Sequence, residues 1–261
     1  MNHLSLALSG GGARGIAHIG VLAALDELQI PVARLAGVSS GAIVAALYAA
    51  GMPPRKILQE IERASLVKLL MRPAFSWRGI LSTGGIAQEL ARLLGGSEAQ
   101  FEQLQKPLIV VATDLLAGAA VGFDTGLLLP PLLGTTAVPL LFKPVEYQSQ
   151  LLVDGGILNL LPVEALLVTA APTEKVVGVN SNPVGQRTAA QLGGLPRLLE
   201  RTFHLALHGN TRPSMARCHL LLEPPGLAQL RVFDYRRAPQ LFELGYRYTL
   251  SRAAELHALL A

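Results

Sequence analysis

Gly37-Val38-Ser39-Ser40-Gly41 is a G-x-S-x-G pattern set between two apolar runs. In that spacing a strand ends, the chain turns sharply and a helix begins, so the middle hydroxyl projects from a strained turn as a nucleophile. Glycines at both ends, Gly37 and Gly41, let the turn pass close to its neighbours. The flanks fit, because RLAGV is strand-like and GAIVAALYAAG is helical up to Gly51, ahead of Pro53-Pro54. The competing reading of Ser39 is an ordinary N-cap on a buried helix.

A second backbone device lies upstream. Leu4–Ser9 alternates like a buried strand and runs into Gly10-Gly11-Gly12-Ala13-Arg14-Gly15, followed by the helical run IAHIGVLAALDEL. A glycine loop between a strand and a helix N-terminus gathers N–H groups around one point. Gly10-x-Gly12-x-x-Gly15 satisfies a dinucleotide fingerprint, but that chemistry needs an acid about 20 residues on. No acidic residue lies between Glu27 and Glu60. The second function open to the loop is an oxyanion hole for acyl transfer, and the plain alternative is a structural glycine turn, which three consecutive glycines disfavour.

An activated serine needs a base. Of the six histidines, His18 sits in an apolar helix and reads as a buried polar contact. His3, His204, His208, His219 and His257 have no turn or strand-end setting. Asp154 does: it ends the short strand QLLVD, with Gly155 and Gly156 behind it allowing close backbone approach. Asp26, Asp114 and Asp124 lack that setting, and Asp114 reads as structural.

These groups need elements to hold them. Pro53–Leu70 reads as an amphipathic helix, the segment 71–83 with Phe75, Trp77, Arg72 and Arg78 as irregular and a candidate lid, and Gly84–Leu94 as helix. Pro107-LIVVATD reads as a buried strand with AAVGFDTG as its hairpin partner. Leu127–Thr136 reads as a helix broken by Pro130-Pro131, and Val138–Phe142 as an apolar wall for acyl chains. A short helix after Pro162, a strand at Lys175–Asn180, a loop at Ser181–Gly194, a helix over Thr188–Asn210, a strand at Cys218–Glu223 and a helix from Pro239 complete the chain. Strands alternating with helices make an α/β fold around a mostly parallel sheet.

Of the 261 residues, 51% are hydrophobic and 15% charged, enough for a large core and unlike a disordered chain. The formal charge of +4 is compatible with an anionic surface, yet no basic run is interleaved with aromatics, so nucleic acid is not an expected partner. Cys218 is the single cysteine, which excludes an internal disulfide and a cysteine metal cluster. Neither a signal peptide nor a bilayer-spanning run is visible, so a cytoplasmic setting is expected, with room for peripheral membrane contact.

The order GGGARG, GVSSG, TTAVP, DGG, together with GIAHIGVLAALDEL, ALYAAG and VVATDL, resembles the patatin-like phospholipases, over about residues 4–180. One departure stands out: Thr135-Thr136 replace the usual Ala-Ser before the proline, and Leu140 replaces the glycine after it. The resemblance implies one patatin-like acyl hydrolase domain over 1–261, a three-layer α/β/α sandwich, and a Ser39–Asp154 dyad without histidine. It also implies an oxyanion loop at Gly10–Gly12, which Arg14 shapes unless it meets a head group, with Gly15, Gly155 and Gly156 in support. No metal or organic cofactor is implied. The substrate implied is a lipid acyl ester, and the dyad's carboxyl must be raised above its usual 3.9 by burial to act as a base. A soluble esterase or thioesterase with the same dyad, and a non-catalytic adaptor of the same fold, are the competing readings.

Overall fold

The computed structural model describes residues 2–63, 73–76, 79–81 and 83–261. Strand β1 (His3–Leu8) passes through a 3-10 turn (Gly12–Gly15) into α1 (Ile16–Glu27), and β2 (Val32–Gly37) passes into α2 (Ser40–Ala49). Both helices are apolar on every side, as only helices packed on several sides can be. Helix α3 (Pro54–Arg63) instead buries one stripe, Pro54, Ile57 and Glu60. A small hairpin, β3 (Pro73–Ser76) and β4 (Gly79–Leu81), precedes α4 (Gly84–Leu94). The expected irregular stretch 71–83 thus contains paired strands, with Pro73 opposite Leu81 and Ser76 opposite Gly79. Arg72, Trp77, Arg78 and the expected helix beyond Arg63 lie outside the described residues.

Strand β5 (Leu108–Asp114), β6 (Ala119–Phe123), α5 (Leu129–Thr135), β7 (Val145–Tyr147) and β8 (Gln150–Asp154) come next. Pro130 and Pro131 do not break α5. They occupy its first turn, where an N–H would have no helical partner. Then come α6 (Val163–Leu167), β9 (Glu174–Val179), α7 (Leu195–Met215), β10 (Leu220–Leu222), α8 (Ala238–Ser251) and α9 (Ala253–Leu260). The helix expected from Thr188 is interrupted: a 3-10 turn spans Ala189–Leu192, and Gly194 (φ 93°) resets the chain before α7. Among the described residues, no helix is long and apolar enough to cross a membrane.

The main sheet has eight strands, in the order β10-β9-β1-β2-β5-β8-β7 with β6 also on β5. From β10 to β5 neighbours are parallel, whereas β6, β7 and β8 pair antiparallel. Alternation along the strands feeds two cores. Leu4, Leu6, Leu8, Leu35, Val177 and Val179 face the larger, with α1, α2 and α8; Ala7, Ala36 and Val176 face a smaller one with Leu161, Val163 and Leu166 around α6.

One edge of β5 positions the site. β6 covers the opposite edge from Val110 to Asp114. On this edge β2 climbs in parallel until Gly37 pairs with Val110. From the other end β8 descends antiparallel until Asp154 pairs with Ala112. Two strand ends therefore meet head to head, one carrying Ser39 just past its tip and the other ending in Asp154.

Candidate active site

Ser39 has φ 52° and ψ −125°, a conformation that non-glycine residues avoid and that costs on the order of 1–3 kcal/mol. The surroundings enforce it. A methyl group on Gly41 would lie 2.4 Å from the Leu8 carbonyl oxygen, and one on Gly37 would lie 2.5 Å from Ala42 Cα. Ser39 N–H donates to Thr135 Oγ1 (2.9 Å), and that hydroxyl donates to the Val111 carbonyl (2.5 Å), in the gap between the two strand tips.

Asp154 is buried, and its Oδ1 accepts the Gly156 N–H at 2.8 Å. Its own N–H donates to Ala137 O (3.0 Å), and its carbonyl accepts the Thr113 hydroxyl (3.2 Å). Burial pushes the carboxyl up to about 6; the facing Ser39 hydroxyl and the Gly156 N–H act the other way. Gly155 fits because a side chain there would strike the Val111 carbonyl at 2.5 Å.

The glycine loop stands against the same serine, since a methyl group on Gly10 would lie 3.3 Å from Ser39 Cβ. Its Gly10 N–H donates to Leu160 O (3.0 Å), so Gly10 is not the free donor expected of it. Three side chains hold the Gly10 carbonyl from behind: Ser9 Oγ (2.9 Å), Ser181 Oγ (3.0 Å) and Asn182 Nδ2 (2.8 Å). Arg14 is buried and braces the loop. Its Nε and Nη2 donate to Leu230 O (2.9 and 2.6 Å), and its Nη1 donates to Asn182 Oδ1 (3.1 Å). Burial lowers its pKa to about 10.

The family model for patatin-like phospholipases matches residues 6–167. The chain belongs to that family. It is 36% identical over 190 residues to an uncharacterized NTE family protein of Mycobacterium tuberculosis, covering 72% of this chain and 52% of the relative. It is 25% identical over 277 residues to human patatin-like phospholipase domain-containing protein 6, covering 95% of this chain and 20% of that protein. The chain thus spans about half the length, or less, of these curated relatives. In fold it is similar to VipD from Legionella pneumophila (TM-score 0.54, 14% identity, 97% of this chain and 67% of that one). It is also similar to human GIVD cytosolic phospholipase A2, solved with methyl gamma-linolenyl fluorophosphonate (TM-score 0.52, 12% identity, 99% and 58%).

The two positions that depart from the expected motif, Thr135 and Leu140, each have a structural setting. Thr135 supplies the hydroxyl that ties the serine turn to β5, two bonds an alanine does not make. Leu140 has φ 70°, in the left-handed region that glycine prefers, and its side chain is 86% exposed. In the expected apolar wall, Phe142 packs into the main core while Leu140 points outward.

Several other titratable groups make structural contacts. Buried His18 donates from Nε2 to Ser9 O (2.8 Å), and burial lowers it to about 4, so it stays neutral and supports the loop from beneath. His219 Nδ1 accepts the Val176 N–H (3.0 Å). Asp114 caps the N–H groups of Leu116 (3.0 Å) and Leu151 (3.1 Å), the structural role expected of it, and Asp26 accepts from Tyr48. Residue type alone does not single out Ser9, Ser181, Asn182 or Thr135. The available signal is the polar run Asn180-Ser181-Asn182 directly after an apolar strand.

Proposed function

We propose that this chain is a lipid acyl-ester hydrolase, of the phospholipase A or lysophospholipase kind, working through Ser39 and Asp154. The observation that carries the reading is a strained serine facing a buried carboxyl whose pKa burial has lifted to about 6. Ionised near neutral pH, Asp154 accepts the Ser39 proton as Oγ bonds to the acyl carbonyl carbon. The charge that gathers on the carbonyl oxygen is met by the Gly11 and Gly12 N–H groups. The proton leaves with the alcohol as the ester bond breaks, and an acyl-enzyme remains. Water then attacks that ester, giving its proton to Asp154, and the fatty acid departs as serine is restored.

Family membership supports a lipid substrate. So does α7, whose exposed Leu195, Leu198, Leu199 and Phe203 lie at helical spacing and would suit peripheral contact with a lipid surface.

The test is labelling by a fluorophosphonate, with p-nitrophenyl ester turnover alongside, on the wild type, Ser39→Ala and Asp154→Ala. Labelling confined to Ser39 and dependent on Asp154 is expected. A folded wild type that neither labels nor turns over would remove the hydrolase reading and favour a binding protein of the same fold.

A further inference from the structure

Beside the serine turn lies a narrow cleft with no role in proton transfer. It offers about 70 Å³ to the centre of a water molecule, and its walls are almost wholly apolar. One wall is the face of α2 bearing Ser40, Ile43, Val44 and Leu47. The opposite walls come from Ile61 of α3 and Ile86, Leu90 and Leu93 of α4. Gly12 and Gly15 line it too, so the cleft starts between the glycine loop and the residue after Ser39.

Glu60 and Glu89 also line it. Glu60 is buried and held by Arg92 (2.5 Å), Lys56 (2.9 Å) and Arg63 (3.3 Å), while Arg92 also binds Glu89 (2.5 Å). Lys56 and Arg92 keep the Glu60 carboxyl down at about 2. The otherwise apolar lining thus includes two carboxylates held in ion pairs. Charged groups are poor company for a hydrocarbon tail, so the apolar α2 face sets the useful length of the cleft.

We infer that this cleft is the slot for the acyl chain, and that its length selects medium chains. From Ser40 to Leu47 the α2 face runs about 10 Å at about 1.5 Å per residue. An extended alkyl chain, with bonds of about 1.52 Å meeting at about 111°, advances about 1.25 Å per carbon. The α2 wall therefore accommodates about eight carbons. Ile43, one turn in, and Leu47, two turns in, act as depth marks for specificity; neither touches the reacting atoms.

The inference rests on the hydrolase reading, and two measurements keep their failures apart. The first is kcat/KM across p-nitrophenyl esters from acetate to palmitate for the wild type, Ile43→Trp and Leu47→Phe, with melting temperature and fluorophosphonate labelling of Ser39 as checks on fold and nucleophile. The wild type should peak near octanoate. Ile43→Trp should lower the octanoate-to-acetate ratio roughly 10-fold or more, and Leu47→Phe should move the peak to shorter chains by a smaller amount. A profile unmoved by both folded variants overturns the slot and leaves the hydrolase standing. The second measurement needs no turnover: calorimetric binding of octanoate to Ser39→Ala, with and without Ile43→Trp. Binding lost on adding the tryptophan supports the slot even if no ester is cleaved; equal binding, or none in Ser39→Ala alone, overturns it.

Discussion

The two backbone turns that flank the candidate site are held in different ways. The serine turn is clamped by close packing: Gly37 and Gly41 sit where any methyl group collides with backbone, and one hydroxyl, Thr135, ties the turn to β5. The glycine loop is held by polar side chains, with Asn182 and Ser181 brought from far along the chain and the loop's own Arg14 anchored at Leu230. Strain at Ser39 is thus borne by shape, while the aim of the loop's N–H groups is borne by hydrogen bonds. Shape is intolerant of added volume, whereas a hydrogen-bond network degrades in steps.

The largest effect tests the shared centre. Ser39→Ala and Asp154→Asn should each lower kcat on an acyl ester by on the order of 10⁴-fold or more with the fold retained, read by turnover and circular dichroism. A largely active Asp154→Asn would remove the carboxylate from the mechanism.

Next, the two turns should fail differently. Gly41→Val should destabilise the protein by at least ~3 kcal/mol in urea unfolding, because the new side chain meets the Leu8 and Ser9 carbonyls. Asn182→Ala should fold, cost about 1–3 kcal/mol through the two bonds it loses, and lower kcat roughly 10-fold or more with little change in KM. Similar behaviour of the two variants would erase the contrast.

The pH dependence separates catalysis from stability. Activity should rise with pH through about 6 as Asp154 ionises. Its folded pKa lies above the unfolded value, so the folded state holds its proton more tightly and stability falls as pH rises from about 4 to about 6. Above that window the cost is about 3 kcal/mol, from about two pKa steps. Asp154→Asn should therefore melt higher than the wild type at pH 8 and no higher at pH 3.5.

The smallest effect concerns Leu140. Leu140→Gly should raise stability by up to about 1 kcal/mol, since glycine holds a left-handed φ of 70° without strain; the same melting series reads it.

The same contrast decides which parts of the molecule are legible in its sequence. GGGARG, GVSSG and DGG are demands the backbone makes on adjacent residues, so spacing alone exposes them, and the strands and helices beside them carry plain periodicity. The parallel order around β1 and β2 comes from alternating strands and helices. Of the braces on the glycine loop, Arg14 is marked by the motif it sits in, whereas Ser181 and Asn182 are not legible: serine and asparagine are common surface types, and what sets Asn182 apart is a contact 168 positions away in sequence. Thr135 is visible only as a departure from the family pattern, because its purpose lies in the gap between β2 and β8. The cleft along α2 is hidden too, since a pocket-lining leucine and a core leucine have the same periodicity.

The meeting of β2 and β8 on one edge of β5 makes the site a late arrival in the life of the chain. The serine and its helix leave the ribosome before β5, Thr135 and β8 do. The carboxylate comes 115 positions after the serine, and reaches it only when Asp154 pairs opposite Ala112. A slip of one residue in that pairing would turn the acid to the other face of the sheet. Under the dyad reading, a nascent or misregistered chain carries a nucleophile with no base, and hydrolysis begins only when the sheet is complete.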